Sequence, residues 1–316
     1  MIIETIEYFF PKNKISYKEL GKRNPEWKMS KTHKVTGIKN IYYADKNQTS
    51  LDLAISAVKK FKNFKSLKND VDGIIFCTQT PNRFLPSNSS ILHGKLGFKE
   101  DCFTLDINHG CSGFVYAISL AKKFLDTNNY KNILVINSDT YSKLINPKDR
   151  MTKVIFSDAA SATIIKQSKT KKKFSVSYGS SGENYEKLTY CKNGFEKKKK
   201  VKNYLHMDGM GIMSFVNSKV PKQINMLLKK NRLSKKKIDF FIFHQASKLA
   251  IDSLIRILEI EREKVIFDLE DGNTVSSSIP IALKKAQKMK KIKKGDKIIL
   301  SGFGVGLSWA SALIEY

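Results

Sequence analysis

Two seven-residue segments in different parts of the chain align without gaps. Residues 71–77 (VDGIIFC) and 238–244 (IDFFIFH) each consist of an aliphatic residue, an aspartate and an apolar run, and each follows an amphipathic pattern and a basic linker. Strand-like and helix-like runs alternate along the whole chain, which is typical of α/β proteins. The sequence therefore predicts an α/β fold that contains an internal duplication.

The ends of the two predicted halves also correspond. Residues 153–165 and 297–314 both contain a strand pattern, a turn of small residues and a second strand pattern. The halves are predicted to span residues 1–170 and 171–316, with a break near 167–173. We expect one compact unit with a shared site between the halves, because neither half is predicted to act as an independent domain.

Hydrophobic periodicity predicts the individual elements. Helices are expected at 50–61, 88–96, 114–125, 220–230, 249–258 and 278–289. Strands are expected at 1–10, 71–77, 105–108, 132–137, 174–178, 238–244, 264–268, 297–300 and 309–316, and residues 154–165 are expected to hold two strand pieces.

The charge balance is strongly basic. The 316 residues include 57 Lys and Arg against 29 Asp and Glu, which gives a formal net charge of +28. Such a charge suits acidic partners such as nucleic acid, anionic lipid, a phosphorylated cofactor or an acidic protein, but a general lysine bias explains it equally well. Arginine, the better reader of nucleic acid, is scarce. The lysine runs 171–173 and 197–200 are expected in solvated loops.

Cysteine spacing and hydropathy exclude other classes. The four cysteines form no CxxC pair and no zinc-binding spacing. No apolar run approaches the ~20 residues that span a bilayer, and the first ten residues have a strand pattern and not that of a signal peptide. We therefore expect a reduced, cytoplasmic protein of enzyme size that holds no metal.

Cys111 lies at a strand-to-helix junction, in the stretch DINHGCSGF (106–114). The unpaired N–H groups at a helix N-terminus favour a thiolate, so the position suits a nucleophile. A small buried apolar residue is the commoner fate of a free cysteine, and position alone leaves both open. Gly110 and Gly113 allow a tight turn. His109 is expected to point away from Cys111 and not to act as its base.

Two later segments and a glycine run add candidates. His244 ends an apolar strand just before a helix, where α/β sites form and where a neutral imidazole is expected, although a satisfied core histidine is the alternative. Asn273, in DGNT, fits an ordinary turn. The run at 302–306 (GFGVG) lacks the helix and acid of a dinucleotide loop, but its backbone N–H groups could face an oxyanion.

Taken together, DINHGCSGF, FHQAS, DGNT and SGFGVGLSWASALIEY, in this order, resemble β-ketoacyl-acyl-carrier-protein synthase III and its relatives in the thiolase superfamily. The resemblance implies a five-layered αβαβα fold, a homodimer, and no cofactor besides the substrates acyl-CoA and malonyl-acyl-carrier protein. It implies that Cys111 carries the acyl group and that His244 and Asn273 stabilise the enolate formed on decarboxylation. The backbone N–H groups of Cys111 and Val305 would form a second oxyanion hole.

The resemblance also implies binding residues for CoA and the carrier protein. Trp27 lies three residues further upstream than the family pattern places its tryptophan, and Ser247 replaces an asparagine. These departures suggest a specialised paralogue. A basic rim that includes Lys219 and Lys222 would steer the acidic carrier protein and the CoA phosphates. The predicted substrate-binding residues are Trp27, Arg150, Gly209, Ala246, Ser247 and Lys248.

Three alternatives are weighed against condensation. An acyl-cysteine enzyme could transfer its acyl group to an amine or hydroxyl without condensing, but the presence of both His244 and Asn273 favours condensation. A synthase of the hydroxymethylglutaryl-CoA type needs a glutamate, and 79–90 contains none. A basic, non-catalytic binding protein on this fold is disfavoured by the intact Cys, His and Asn motifs.

Overall fold

The computed structural model describes residues 1–168, 170, 172–191 and 203–316. The lysine run 197–200 and Lys171 lie outside the described residues, and so does Lys169 next to the predicted boundary between the halves. The division at 170/171 stays a prediction.

The helices and strands follow one another along the chain with short connections. In order they are β1 (Ile2–Phe9), β2 (Asn13–Ser16), α1 (Tyr17–Arg23), α2 (Met29–Thr36), β3 (Asn40–Tyr43), α3 (Ser50–Val58), α4 (Phe64–Asp70), β4 (Gly73–Cys77), α5 (Asn88–Leu96), β5 (Phe103–Ile107), α6 (Gly113–Asp126), β6 (Asn132–Asp139), α7 (Arg150–Lys153), β7 (Ala159–Lys166), β8 (Phe174–Ser180), β9 (Leu188–Thr189), β10 (His206–Met207), α8 (Gly209–Lys230), β11 (Phe240–Phe243), α9 (Lys248–Leu258), α10 (Ser278–Lys288), β12 (Lys297–Gly304) and β13 (Ser308–Glu315).

Two mixed sheets repeat the same strand order. The first sheet runs β1-β7-β6-β4-β5 and the second runs β8-β13-β12-β11. In each, a parallel pair (β4 with β6, β11 with β12) adjoins an antiparallel hairpin-like pair (β6 with β7, β12 with β13). The aligned segments 71–77 and 238–244 supply β4 and β11, which occupy equivalent places. The predicted α/β class with two duplicated halves is confirmed.

The helices complete five layers. Helices α6 and α10 lie between the sheets and contact strands of both, α3 and α5 cover the outer face of the first sheet, and α8 packs on the outer face of the second with α9 against it. Apolar side chains of α6, such as Phe114 and Ile118, are fully buried because a sheet lies on either side of the helix. Truncating Ile118 to Ala would cost about 2–5 kcal/mol of folding free energy.

The prediction of two strand pieces in 154–165 is wrong, because only β7 is a strand. The segment before it forms α7 and then a single bridge between Phe156 and Asn273. The N–H of Asn273 donates to Ile155 O at 2.8 Å and the N–H of Ser157 donates to Asn273 O at 2.9 Å. This segment therefore pairs with a loop of the other half, and β6 is the true counterpart of β12.

The predicted strand at 264–268 is also wrong. A short 3-10 turn precedes it, and Val265 makes only an isolated parallel bridge to Phe241, in the place that β5 occupies in the first sheet. The side chain of Gln245 hydrogen-bonds to neighbouring backbone groups. Its Oε1 accepts the N–H of Asp268 at 2.7 Å. A side chain thus replaces strand pairing there.

Other differences concern boundaries and omissions. Helix α8 starts at Gly209, well before the predicted 220, because Asp208 caps it by accepting the N–H of Gly211 at 2.9 Å. Pro221 lies inside that helix. The small elements α1, α2, α4, α7, β2, β3, β9 and β10 were not predicted. Among the described helices, none is both long and apolar enough to cross a membrane.

Candidate active site

A cavity of about 780 Å³ lies between the two halves and is lined by Cys111, His244 and Asn273. All three side chains are buried. Exposed residues of α2 and α7, including Lys31 and Arg150, line its outer part. The three residues that the sequence proposed as catalytic therefore meet at the inner end of one cavity.

Cys111 precedes α6 and lies against the C-terminal end of β12. A Cβ atom at Gly304 would lie 2.9 Å from Cys111 Sγ, and one at Gly302 would lie 2.5 Å from Cys111 O. Real Cβ atoms do not come this close, so only glycine lets the strand approach the nucleophile loop. The C-terminal glycine run thus serves close packing at Cys111.

The thiol of Cys111 is not the lowered-pKa thiolate expected from the sequence. Burial is the main cause that raises its pKa to about 12, and the carboxylate of Asp139 is a smaller cause in the same direction. The backbone N–H groups of Cys111 and Val305 act in the opposite direction and lower the pKa. Burial outweighs them, because a thiolate loses its solvation at the inner end of the cavity. The resting group is a thiol, and the N–H groups of both predicted oxyanion donors act on its pKa.

His244 follows β11, where its N–H donates to Ser301 O at 2.8 Å. Its Nδ1 lies 2.7 Å from the hydroxyl of Ser278, and that hydroxyl oxygen also accepts the N–H of Gln245 at 3.4 Å. Since no other acceptor for the serine proton is found among the described residues, the hydroxyl donates to Nδ1, and the imidazole proton lies on Nε2. Burial lowers the pKa of His244 to about 3, so the ring is neutral, as expected.

Asn273 is oriented by its own loop. Its Oδ1 accepts the N–H of Val275 at 2.9 Å. Its backbone is held by the bridge to Phe156 from the other half. With Oδ1 occupied, the amide Nδ2 is the group left to donate a hydrogen bond into the cavity.

Three consecutive serines after this loop each bond to a different residue. Ser276 donates to Asp139 Oδ2 at 2.9 Å, Ser277 donates to Asn137 O at 2.7 Å, and Ser278 contacts His244. All three are buried. These three serines therefore tie the asparagine loop to β6 and to the histidine.

The wall behind Cys111 is aromatic. Phe156 lines the cavity, and the ring of Tyr141 packs on it with centroids 5.1 Å apart. Tyr141 belongs with Cys111 to one buried cluster, and its hydroxyl bonds to Gln79 Oε1. Tyr141 does not itself line the cavity, so its ring backs the inner wall.

Most of the predicted binding residues also line the cavity: Trp27, Arg150, Gly209, Ala246 and Ser247. Arg150 Nη1 donates to Trp27 O at 3.4 Å. Lys248 does not line it, because its ammonium pairs with Asp252 at 2.6 Å. Lys219 and Lys222 are likewise absent from the lining. The binding roles stay predictions.

Lys28 and Lys31 line the outer cavity beside Trp27, and sequence reasoning missed both. The only signal was the pair of lysines that follows the tryptophan, and α2 had not been predicted. In contrast, His109 lies where it was expected. Its ring stacks on Tyr116 with centroids 4.1 Å apart, and it is absent from the cavity lining.

Two family profiles match the chain. Residues 105–182 match "3-Oxoacyl-[acyl-carrier-protein (ACP)] synthase III" and residues 228–316 match its C-terminal part. The first range contains Cys111, and the second contains His244 and Asn273.

Individual proteins match over nearly the whole chain. A beta-ketoacyl-[acyl-carrier-protein] synthase III of Clostridium perfringens is 36% identical over 97% of this chain and 96% of its own length. One from Neisseria meningitidis is 31% identical, over 98% and 97%. A crystal structure of a 3-oxoacyl-(acyl-carrier-protein) synthase III superposes with a TM-score of 0.95 at 31% identity, covering 99% of both chains.

Proposed function

The chain belongs to the β-ketoacyl-acyl-carrier-protein synthase III family, and from this we propose that it condenses an acyl-CoA-derived primer with malonyl-acyl-carrier protein. The observation that carries the proposal is the meeting of Cys111, His244 and Asn273 at one cavity. A nucleophile and two neutral N–H donors are the groups that acyl transfer and enolate formation require.

The first step forms the acyl-enzyme. The sulfur of Cys111 attacks the thioester carbonyl of the acyl-CoA, and the carbonyl electron pair moves to oxygen, where the N–H groups of Cys111 and Val305 stabilise it. The intermediate then collapses, the bond to the CoA sulfur breaks, and CoA leaves with the proton that Cys111 loses. Since the free thiol has a raised pKa, this proton moves as the carbon–sulfur bond forms.

The second step forms the carbon–carbon bond. Malonyl-acyl-carrier protein loses carbon dioxide, and the electron pair of the broken bond passes to the thioester oxygen as an enolate. His244 Nε2–H and Asn273 Nδ2–H donate to that oxygen. The enolate carbon attacks the acyl carbonyl on Cys111, the carbon–sulfur bond breaks, and the sulfur takes up one proton from solvent. The product is a 3-oxoacyl-acyl-carrier protein.

Neutrality of His244 matters for this role. An imidazolium would also donate, but its charge would bind the malonyl carboxylate and stabilise the ground state that must decompose. A pKa of about 3 keeps the ring neutral at any working pH. The bond from Ser278 fixes the proton on the nitrogen that faces the cavity.

Binding is assigned to the outer cavity. Lys28, Lys31 and Arg150 supply positive charge for the CoA phosphates, and Trp27 contributes an apolar surface beside them. Gly209, Ala246 and Ser247 border the path of the pantetheine arm. Lys248, which pairs with Asp252, remains a candidate contact for the acidic carrier protein.

Further properties of the proposal rest on the family. We infer a homodimer in the cytoplasm that needs no cofactor besides its two substrates. Size-exclusion chromatography with light scattering tests the dimer. Activity after dialysis against a chelator tests the lack of a metal.

The proposed activity is tested with purified protein, an acyl-CoA and malonyl-acyl-carrier protein, and the carrier protein product is identified by mass spectrometry. A 3-oxoacyl product in the wild type, lost in Cys111→Ala and in His244→Ala, supports the proposal. If the acyl group is instead recovered on an added amine or alcohol with malonyl-acyl-carrier protein unchanged, the enzyme transfers without condensing and the proposal is wrong.

A further inference from the structure

Asp139 is a buried carboxylate at the end of β6 that has no cationic partner among the described residues. Its Oδ1 accepts the N–H of Gln79 at 2.8 Å and the hydroxyls of Thr78 at 3.3 Å and Thr80 at 3.4 Å, and its Oδ2 accepts the hydroxyl of Ser276 at 2.9 Å. Its residue surface is 1% exposed. A charge buried this deeply is costly unless several donors solvate it. The four donors around Asp139 supply that solvation.

The donors come from both sides of the active site. Thr78, Gln79 and Thr80 follow β4, and the side chain of Gln79 packs on the nucleophile loop, where a Cβ atom at Gly110 would lie 2.5 Å from Gln79 Oε1. Ser276 follows Asn273 by three residues in the other half of the chain. The carboxylate of Asp139 therefore contacts Gln79, which packs on the loop of Cys111, and Ser276, which belongs to the loop of Asn273.

We propose that Asp139 is a positioning residue that holds the loops of Cys111 and Asn273 in register across the two halves of the chain. Asp139 touches no substrate in this role and acts through Gln79 and Ser276. The proposal rests on the function proposed above, because register between nucleophile and enolate donor matters for condensation.

The charge of Asp139 also acts on the nucleophile. Its carboxylate raises the pKa of the Cys111 thiol, and the other titratable groups around it are Cys77, Tyr141 and Asp158. Burial raises the pKa of Asp139 itself to about 7. The charge is therefore present above that pH and fades below it, and removing it should favour the thiolate of Cys111 most at alkaline pH.

Two variants separate the charge of Asp139 from its hydrogen bond to Ser276. Asp139→Asn removes the charge and keeps the shape and one acceptor oxygen for Gln79, while its amide nitrogen can still meet Ser276 by donating to the hydroxyl oxygen. Ser276→Ala keeps the charge but breaks the link to the Asn273 loop. Asp158→Asn is the matched control for a buried carboxylate, because Asp158 bonds instead to the N–H of Ala44 at 2.8 Å and to Ser142. Ser277→Ala is the control for a neighbouring serine hydroxyl.

The first readout is the rate at which iodoacetamide alkylates Cys111, followed by peptide mapping. In Asp139→Asn the rate at about pH 8.5 should rise roughly threefold for each unit by which the thiol pKa falls, since the thiolate fraction gains more than nucleophilicity loses. The gain should shrink at about pH 6, where Asp139 is protonated in the wild type. Ser276→Ala and Asp158→Asn should alkylate like the wild type.

The second readout is condensation by enzyme already acylated on Cys111. Ser276→Ala should condense about tenfold more slowly, because a bond to a buried charge is lost, and Ser277→Ala should not slow comparably. Wild-type alkylation in Asp139→Asn, or wild-type condensation in Ser276→Ala, overturns the proposal. If the wild type makes no 3-oxoacyl product while Asp139→Asn still alkylates faster, the proposed function fails and the influence of Asp139 on the thiol stands.

Discussion

The hydroxyl of Ser278 controls which nitrogen of His244 carries the proton. The two side chains lie 2.7 Å apart, with exposed fractions of 1% for His244 and 2% for Ser278. In Ser278→Ala, Nδ1 loses this partner in a site that water does not reach freely. The imidazole can then carry its proton on either nitrogen, and the tautomer that donates to the enolate is no longer favoured.

The magnitude follows from the lost bond. Leaving one buried polar atom without its partner costs about 1–3 kcal/mol, which corresponds to a rate reduction of about 5- to 150-fold if the loss falls on the transition state. The reduction should appear in kcat for condensation. The rate of acylation by acyl-CoA should change by less than about threefold, because the oxyanion of that step bonds to backbone N–H groups.

The assay compares two half-reactions in three variants. Acylation is followed by intact mass, and condensation is followed by the discharge of pre-acylated enzyme with malonyl-acyl-carrier protein. Ser278→Thr retains a hydroxyl and should recover most of the lost rate. Ser277→Ala, one residue earlier, removes a hydroxyl that bonds to Asn137 O and not to the histidine. Wild-type condensation in Ser278→Ala, or an equal loss in both half-reactions, refutes the tautomer argument.

Three other predictions concern the thiol, the cavity wall and the outer cavity. Burial raises the pKa of Cys111 to about 12, so its alkylation rate should still rise above pH 10. The alkylation rate of an unperturbed cysteine levels off near its pKa of about 8.5. A plateau of the Cys111 rate near pH 8.5 would contradict the effect of burial. Tyr141→Ala should accept longer acyl-CoA primers in acylation assays. Tyr141→Phe, which keeps the ring, should retain the wild-type preference for chain length. An unchanged preference in Tyr141→Ala would show that the ring does not limit the length of the acyl chain. Lys31→Glu should raise KM for acyl-CoA by roughly three- to tenfold at low salt, and Lys219→Glu, away from the cavity, should not; equal effects would point to net charge alone.

The sequence predicted the repeated strand pattern because it is a local signal. Segments 71–77 and 238–244 became β4 and β11 since buried parallel strands are continuous apolar runs. The strand predicted at 264–268 failed because a side chain, Gln245, takes the backbone bonds there. Helix α8 was predicted too short because its start depends on the Asp208 cap.

For the site, the motifs indicated which residues belong to it, but the sequence did not show their burial or their hydrogen-bond partners. Cys111, His244 and Asn273 were proposed from the sequence and line one cavity, but the raised pKa of Cys111 depends on burial by β12, which is far away in the chain. The separate partners of Ser276, Ser277 and Ser278 also come from distant elements. No local pattern could show that three similar residues bond to a carboxylate, a carbonyl and an imidazole.

The most direct test of the account is to find the acyl group on the enzyme. The protein is incubated with an acyl-CoA, its intact mass is measured, the modified peptide is mapped, and malonyl-acyl-carrier protein is then added. We expect one acyl group on Cys111 that disappears as 3-oxoacyl-acyl-carrier protein forms, and no acylation of Cys111→Ala. Acylation that persists in Cys111→Ala, or an acyl-enzyme that malonyl-acyl-carrier protein does not discharge, would contradict the account.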